Sequence, residues 1–339
     1  MSGNANFAFD DIAIVAVSAC EAPEVVTSEA MDERLSPFYQ RTSAHAGILS
    51  ALAGIEQRRA WPAGVSFMEA AALAGEKAII DSGIDRSQIG LVIDTSVCRE
   101  RLEPSSAVTV HNALGLPSTC MNYDLGNACL GFVNAIHLAG AMIETGQLDY
   151  VLVVDGEGTR QIHDNTISRL NEPGSTFDDL VENFASLTLG SGSAAALVGR
   201  HSQNPGSHQV VRGLFRAATE YHELCVGSLQ SMKTDTAALL DAGTSLAKLA
   251  WDDANKDEWQ DMDLYVLHQV SKVHTEAMIE VLGIDPARVP MTFPRFGNMG
   301  PAAVPFTLAL SADQLSAGDR VLCLGIGSGL NAGLLELVW

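Results

Sequence analysis

The sequence predicts a layered α/β fold built as two similar halves. Short runs rich in Val, Ile and Leu alternate with longer runs of helical period, which argues for strands covered by helices. The strand runs are apolar almost without interruption, as expected of mostly parallel sheets buried on both faces. The order of elements also repeats roughly, and each part closes on a glycine-rich turn followed by a strand.

In the first half, strands are expected at Ile12 to Val17, Ile89 to Ile93, Cys120 to Asp124, Tyr150 to Asp155 and Ser193 to Val198. Helical periods fall at Ser66 to Ser82, Ala107 to Leu114 and Leu130 to Thr145. In the second half, strands are expected at Val210 to Ala217, Leu264 to His268, around Val289 to Phe293, Arg320 to Leu324 and Ala332 to Val338. Helices are expected there at Thr234 to Asn255, Lys272 to Leu282 and Ala302 to Leu315. The closing turns are Gly190 to Ala194 and Gly325 to Gly329. A polar stretch at Gly199 to Ser207, with Pro205 and Gly206, marks the seam between halves 1–200 and 201–339. Gly158 to Thr188, with Pro173-Gly174-Ser175, reads as an irregular insertion over one face.

Composition narrows the function. The chain has 339 residues, 47% apolar and 18% charged, which suits a sizeable core and argues against disorder. Lys and Arg number 20 against 41 Asp and Glu, a net charge of −21. Nucleic acid is a poor partner for such a chain, because phosphate binding needs clustered cations. An acidic carrier protein is also disfavoured, unless a local basic patch exists. Six scattered cysteines without a CxxC pair point to a reduced, cytoplasmic protein with neither disulfides nor a zinc site. Met1 to Ala8 lacks a signal-peptide core, and no apolar run is long enough for membrane insertion.

Three residues carry chemistry. Cys129 follows a strand and precedes the apolar helical run from Leu130. A thiol at a helix N-terminus is drawn toward thiolate by free N–H groups and the dipole, although a lone cysteine is more often a small buried hydrophobe. His268 ends the expected strand Leu264 to His268, at the edge of an α/β sheet that commonly faces a ligand; a satisfied core histidine is the alternative. Asn298 lies between Gly297 and Met299-Gly300-Pro301, where an ordinary turn would also account for it. Together, a thiolate, an imidazole and an amide are what acyl transfer followed by carbon–carbon bond formation requires. The cysteine takes the acyl group, and the other two donate to a thioester oxygen as enolate charge develops. No glycine-rich turn matches a dinucleotide fingerprint or a P-loop.

At these residues the chain resembles a known family. Asp124 to Phe132, His268-Gln269, Phe296 to Ala302 and Gly325 to Asn331 look like the Cys–His–Asn condensing enzymes of the thiolase superfamily. The resemblance covers Ile12 to Trp339. It implies a duplicated thiolase-like five-layer αβαβα fold and a homodimer. The nearest branches are β-ketoacyl-acyl carrier protein synthase III and the OleA-type enzymes that condense acyl-CoAs head to head in bacterial olefin synthesis. Leu102-Glu103-Pro104-Ser105 favours the latter, in which a glutamate of this segment crosses the dimer interface as the base. Glu103 is the matching position, with Glu100 as its nearest rival.

That resemblance implies attack by Cys129 on one fatty acyl-CoA, with an oxyanion held by the backbone N–H groups of Cys129 and Ser328. Glu103 then deprotonates a second acyl-CoA, and the product is a β-ketoacyl thioester or its acid. Coenzyme A thioesters are substrates; no cofactor or metal is implied, and downstream olefin-pathway enzymes are candidate partners. Gly54 to Arg59 matches part of the synthase III segment that holds coenzyme A, but Ser50 to Ala53 lacks its Trp and Arg clamp. Arg58 and Arg59 stand as candidate coenzyme A phosphate contacts, beside the alternative of a solvated basic pair. The competing functions are a decarboxylating synthase III, an acyltransferase of secondary metabolism and a non-catalytic subunit.

Overall fold

A computed structural model describes residues 5–254 and 256–339. The first four residues of the Met1 to Ala8 segment and Asn255, the expected end of one helix, lie outside the described residues. In chain order the main elements begin with β1 (Ile12–Glu21), α1 (Phe67–Ser82), β2 (Ile89–Asp94) and α2 (Ser106–Ala113). Next come β3 (Met121–Asp124), α3 (Gly131–Glu144), β4 (Tyr150–Glu157), α4 (Arg160–Leu170), α5 (Phe177–Thr188) and β5 (Gly192–Arg200). The chain continues with β6 (His208–Ala217), α6 (Thr236–Asp253), β7 (Leu264–Leu267) and α7 (Lys272–Leu282). It closes with α8 (Ala303–Ser311), β8 (Arg320–Gly327) and β9 (Asn331–Val338).

These strands form one mixed sheet in the order β7-β8-β9-β6-β1-β5-β4-β2-β3. Two strand sets meet in it. The join is a short antiparallel ladder between β1 and β6, where Ala13 faces Gln209 and Ile14 faces His208. Side chains alternate along each strand and sort the core into layers. On β2 and β4, Leu91, Ile93, Val151 and Val153 face a central core, whereas Val92, Leu152 and Val154 face α1 and α2. On β7 and β8, Val266, Val321 and Cys323 join the same central core, whereas Tyr265, Leu267, Leu322 and Leu324 turn to the α6 and α7 side. Helices α3 and α8 touch strands of both sets. The layers therefore run helix, first strand set, helix, second strand set, helix.

Three expectations are corrected. The sheet is not mostly parallel: β4 with β5, β5 with β1, β1 with β6, β6 with β9 and β9 with β8 are antiparallel. Helices cover both faces anyway, so the strands are apolar whatever their direction. Val289 to Phe293 is not a strand. Pro290 and Pro294 interrupt it, and the Thr292 and Phe293 N–H groups donate to Oε1 of the buried Gln269 at 2.8 and 3.2 Å instead of to a neighbouring strand. Gly158 to Thr188 is not an irregular insertion, because it holds α4 and α5. A capping box between Thr176 and Asp179 starts α5.

Candidate active site

Cys129 stands two residues before α3, in a turn where Ala128 takes the left-handed φ of 44°. That backbone is uncommon for a residue with a side chain and marks a locally strained bend. The bend is tied to the other strand set. Asn331 donates through Nδ2 to Asn127 Oδ1 at 3.1 Å, and Asn127 Nδ2 donates to Asn134 Oδ1 at 2.7 Å. Gly327 allows the second glycine-rich turn to close on the same bend. A Cβ there would lie 2.7 Å from the Asn127 carbonyl oxygen and 3.2 Å from the Leu130 nitrogen. This close approach brings Ser328 to the rim that Cys129 occupies.

His268 follows the last residue of β7, with its N–H donating to the Leu324 carbonyl at 2.8 Å. Gln269 beside it is fully buried. Its Nε2 donates to the Leu267 and Pro290 carbonyls at 3.0 and 3.1 Å, which braces the loop behind the imidazole. Asn298 is fixed at both ends of its peptide unit. Its N–H donates to the Thr188 carbonyl at 3.0 Å, and its carbonyl accepts from Gly190 N–H at 2.8 Å. Gly190 is required here, since a Cβ would run into the Phe296 carbonyl oxygen. The Asn298 Oδ1 accepts from Gly300 N–H at 3.0 Å, leaving the amide NH₂ as the donor end.

Cys129, His268, Asn298 and Ser328 line one cavity of about 730 Å³, within the range of small-molecule sites. Much of its wall is apolar and comes from α6 and α7, including Leu239, Leu240 and Met278. The four residues singled out from the sequence thus meet in space. Sequence reasoning missed Glu157, Cys225 and His274, which line the same cavity. The signal for Glu157 was its place at the C-terminal edge of an apolar strand, where ligand-facing groups collect.

The electrostatics overturn one expectation. Burial pushes the Cys129 thiol well above its ordinary value, and Cys225, Glu157 and Asp155 add to the shift. Cys129 lies one residue before the N-cap Leu130, and burial at that place outweighs what the helix terminus would contribute. Burial also pushes His268 down to about 4, with His274 adding to the effect. The resting pair is a neutral thiol and a neutral imidazole. Behind them sits a cluster of carboxyls. Burial pushes Asp94 up to about 6, and burial with mutual repulsion raises Asp155 and Glu157. Thr95 Oγ1 donates to Asp155 at 2.6 Å and Val97 N–H donates to Glu157 at 2.6 Å.

The proposed base and phosphate contacts fall elsewhere. Glu103 is exposed beside the fully exposed Leu102, and although residues 97–102 line the cavity, Glu103 does not. Arg58 is corrected outright as a phosphate contact. It is fully buried, donates through Nη2 to Ser28 Oγ at 3.2 Å and packs beneath Gly297. Arg59 pairs with Glu21 at 3.1 Å and lies over the Phe296 ring. Both arginines support the loop that carries Asn298. Among the described residues no group of three His, Cys, Asp or Glu side chains is placed to hold a metal, and no helix is long and apolar enough to cross a membrane.

A cysteine on a strained bend, with a histidine and an asparagine from the other strand set, defines a thiolase-type condensing enzyme. Comparison with known proteins agrees. The models of 3-oxoacyl-[acyl-carrier-protein] synthase III and of its C-terminal domain match residues 123–212 and 253–339. An acyl-CoA:acyl-CoA alkyltransferase of Xanthomonas campestris is 41% identical over 98% of this chain and 99% of its own length. One from Shewanella oneidensis is 37% identical over 94% and 96%. A structure of Xanthomonas campestris OleA with bound lauric acid and lauroyl-CoA covers 98% of this chain and 100% of that one, with a TM-score of 0.95 at 40% identity. The chain belongs to the acyl-CoA:acyl-CoA alkyltransferase (OleA) family.

Proposed function

We propose that this chain joins two fatty acyl-CoA molecules head to head by a non-decarboxylative Claisen condensation. The carrying observation is the meeting of Cys129, His268, Asn298 and Ser328 on one largely apolar cavity. As the first acyl-CoA binds, neutral His268 accepts the Cys129 proton and the sulfur attacks the thioester carbonyl. The oxyanion is held by the N–H groups of Cys129 and Ser328. Coenzyme A leaves as its thiol, taking up the proton. The second acyl-CoA then loses an α-proton to a carboxylate. Its enolate oxygen is held by the Asn298 amide and by His268, neutral again and donating its N–H. The carbanion attacks the acyl carbon, a carbon–carbon bond forms and the Cys129 sulfur departs. Hydrolysis of the β-ketoacyl-CoA gives the β-keto acid.

Glu103 from a second copy of the chain is the base in this reading. Its outward, exposed position supports the assignment, as does a spacing. The glutamate and cysteine substituted in structures of Xanthomonas campestris OleA stand the same number of residues apart as Glu103 and Cys129. The working unit is then a cytoplasmic homodimer that needs no cofactor beyond its thioester substrates. It supplies the first step of long-chain olefin synthesis to enzymes that dock downstream. In the same reading residues 1–200 bring the nucleophile and residues 201–339 the histidine and asparagine. The decarboxylating alternative is weaker, because synthase III relatives are only 24% to 29% identical.

The test is mass spectrometry of products from one pure fatty acyl-CoA with no malonyl donor. A β-keto acid or its decarboxylated ketone is expected, and Cys129→Ala yields neither product nor acylated protein. A strict requirement for a malonyl donor would overturn the proposal. Mixing Cys129→Ala with Glu103→Gln subunits should restore partial activity, because each heterodimer holds one complete site. No recovery, with subunit exchange shown independently, moves the base to another residue.

A further inference from the structure

Helices α6 and α7 supply one wall of the cavity through Leu240, Gly243, Thr244, Ala247, Thr275 and Met278. Gly243 is out of place on sequence grounds alone. It lies inside an 18-residue helix, where glycine is the poorest helix former after proline. A mid-helix glycine usually marks close packing against a neighbour, as Gly75 does in α1, where a Cβ would lie 3.1 Å from both Leu114 and Val154. Gly243 has no such neighbour. It is buried, yet a Cβ built on it meets no heavy atom within 4 Å. Among the described residues, the other glycines with that much room lie in turns and are at least partly exposed. A glycine shielded from solvent and open to empty space faces the cavity.

We infer that Gly243 sets the longest acyl chain the cavity accepts. The missing side chain leaves room along α6 for hydrocarbon, and the apolar neighbours Leu240, Ala247 and Met278 suit methylene groups. This rests on the reading that the cavity takes fatty acyl chains. Each carbon added at position 243 projects into the space otherwise filled by substrate, and one methylene in an apolar pocket is worth about tenfold or more in selectivity. The first added carbon meets no protein atom within 4 Å, so it takes up cavity space without displacing a neighbour.

The experiment uses the full chain with Gly243→Ala, Gly243→Leu and Gly243→Phe. Binding is read by displacement of a fluorescent fatty acid with a ladder of saturated acids from octanoic to stearic. Acylation of Cys129 is followed by intact mass with the matching acyl-CoAs. The longest acid bound with wild-type affinity should shorten stepwise from Ala to Leu to Phe, by about tenfold or more in affinity for each methylene excluded. Octanoic acid should bind unchanged, and the melting temperature of Gly243→Ala should stay at or above wild type. A ladder that wild type binds and the variants do not shift overturns the inference alone, as does an equal loss at every length. A wild-type protein that neither binds a fatty acid nor takes an acyl group from any acyl-CoA overturns the functional reading and this inference with it.

Discussion

Helices α1 and α6 cover the outer faces of the two strand sets, and they do so differently. Helix α1 lies flush. Ala70, Ala71, Ala74 and Ala78 are buried along it, and Gly156 of β4 lets it approach so closely that a Cβ there would run into the Phe67 carbonyl oxygen. Helix α6 stands off, and the space beneath Gly243 belongs to the cavity. A helix packed to interior density leaves nothing to bind. The same layer, less completely filled in the second set, becomes a substrate pocket. The strand ends differ in kind as well. The first set ends in the carboxyls of Asp94, Asp155 and Glu157, held toward their protonated forms, whereas the second presents imidazoles held neutral.

The largest effect that bears on this contrast is catalytic. Asn298→Ala, on the open side, should slow condensation by about 10²–10³-fold while acylation of Cys129 suffers less, because in the proposed reaction its amide holds only the enolate oxygen, whereas His268→Ala should slow both steps, because His268 is also proposed to take the Cys129 proton. Single-turnover acylation by intact mass, set against steady-state product formation, separates the two steps. Equal loss of both steps in Asn298→Ala would remove the enolate role from that side.

The next effect is in stability against pH, and its sign should differ between the two sides. His268 titrates at about 4 in the folded state against an ordinary value of 6.5. The unfolded chain therefore binds its proton first, and stability falls by roughly 3 kcal/mol as pH drops from about 6.5 to about 4. Glu157 is raised above its ordinary value of 4.5, so the folded state keeps a proton that the unfolded state has lost, and stability falls as pH rises above that value. Urea midpoints across this range should show wild type losing ground to His268→Asn at low pH and to Glu157→Gln at high pH. Shifts of the same sign would erase the distinction.

Smaller effects sharpen the packing contrast itself. Gly156→Ala should destabilise by about 1–3 kcal/mol, since the new methyl must push α1 off the sheet. Gly243→Ala should instead stabilise by up to about 1 kcal/mol, because it meets only open space and improves helix propensity. Denaturant midpoints at equal m-value decide both.

Much of this was legible in the sequence, for a physical reason. Cys129, Asn298 and Ser328 sit among glycines that allow backbone segments to approach, and glycines clustered around polar groups mark a site in the sequence itself. The alternating apolar runs located the main strands because both sheet faces are covered. Helices α4 and α5 were hidden because their buried faces carry His163, Thr166, Asn183 and Ser186, which blur the apolar period. Around Val289 the apolar residues suggested a strand against the local warning of Pro290, and the claim of Gln269, more than twenty residues earlier, on the Thr292 and Phe293 N–H groups was not local at all. Arg58 read as a surface cation because burial is a property of the whole fold. The raised Cys129 thiol follows first from burial, and then from Cys225 and the carboxyls of another strand, none of which could be read from its own neighbours.

The amide chain from Asn331 through Asn127 to Asn134 links the second strand set to the bend that carries the nucleophile. The position of the thiol is thus conditional on something distant in the chain. A molecule whose second set has loosened keeps its cysteine and its first core, yet loses the placement of Ser328, His268 and Asn298 around it. Turnover should therefore report on cohesion between the strand sets, and in a denaturant series activity should disappear before the last of the secondary structure does.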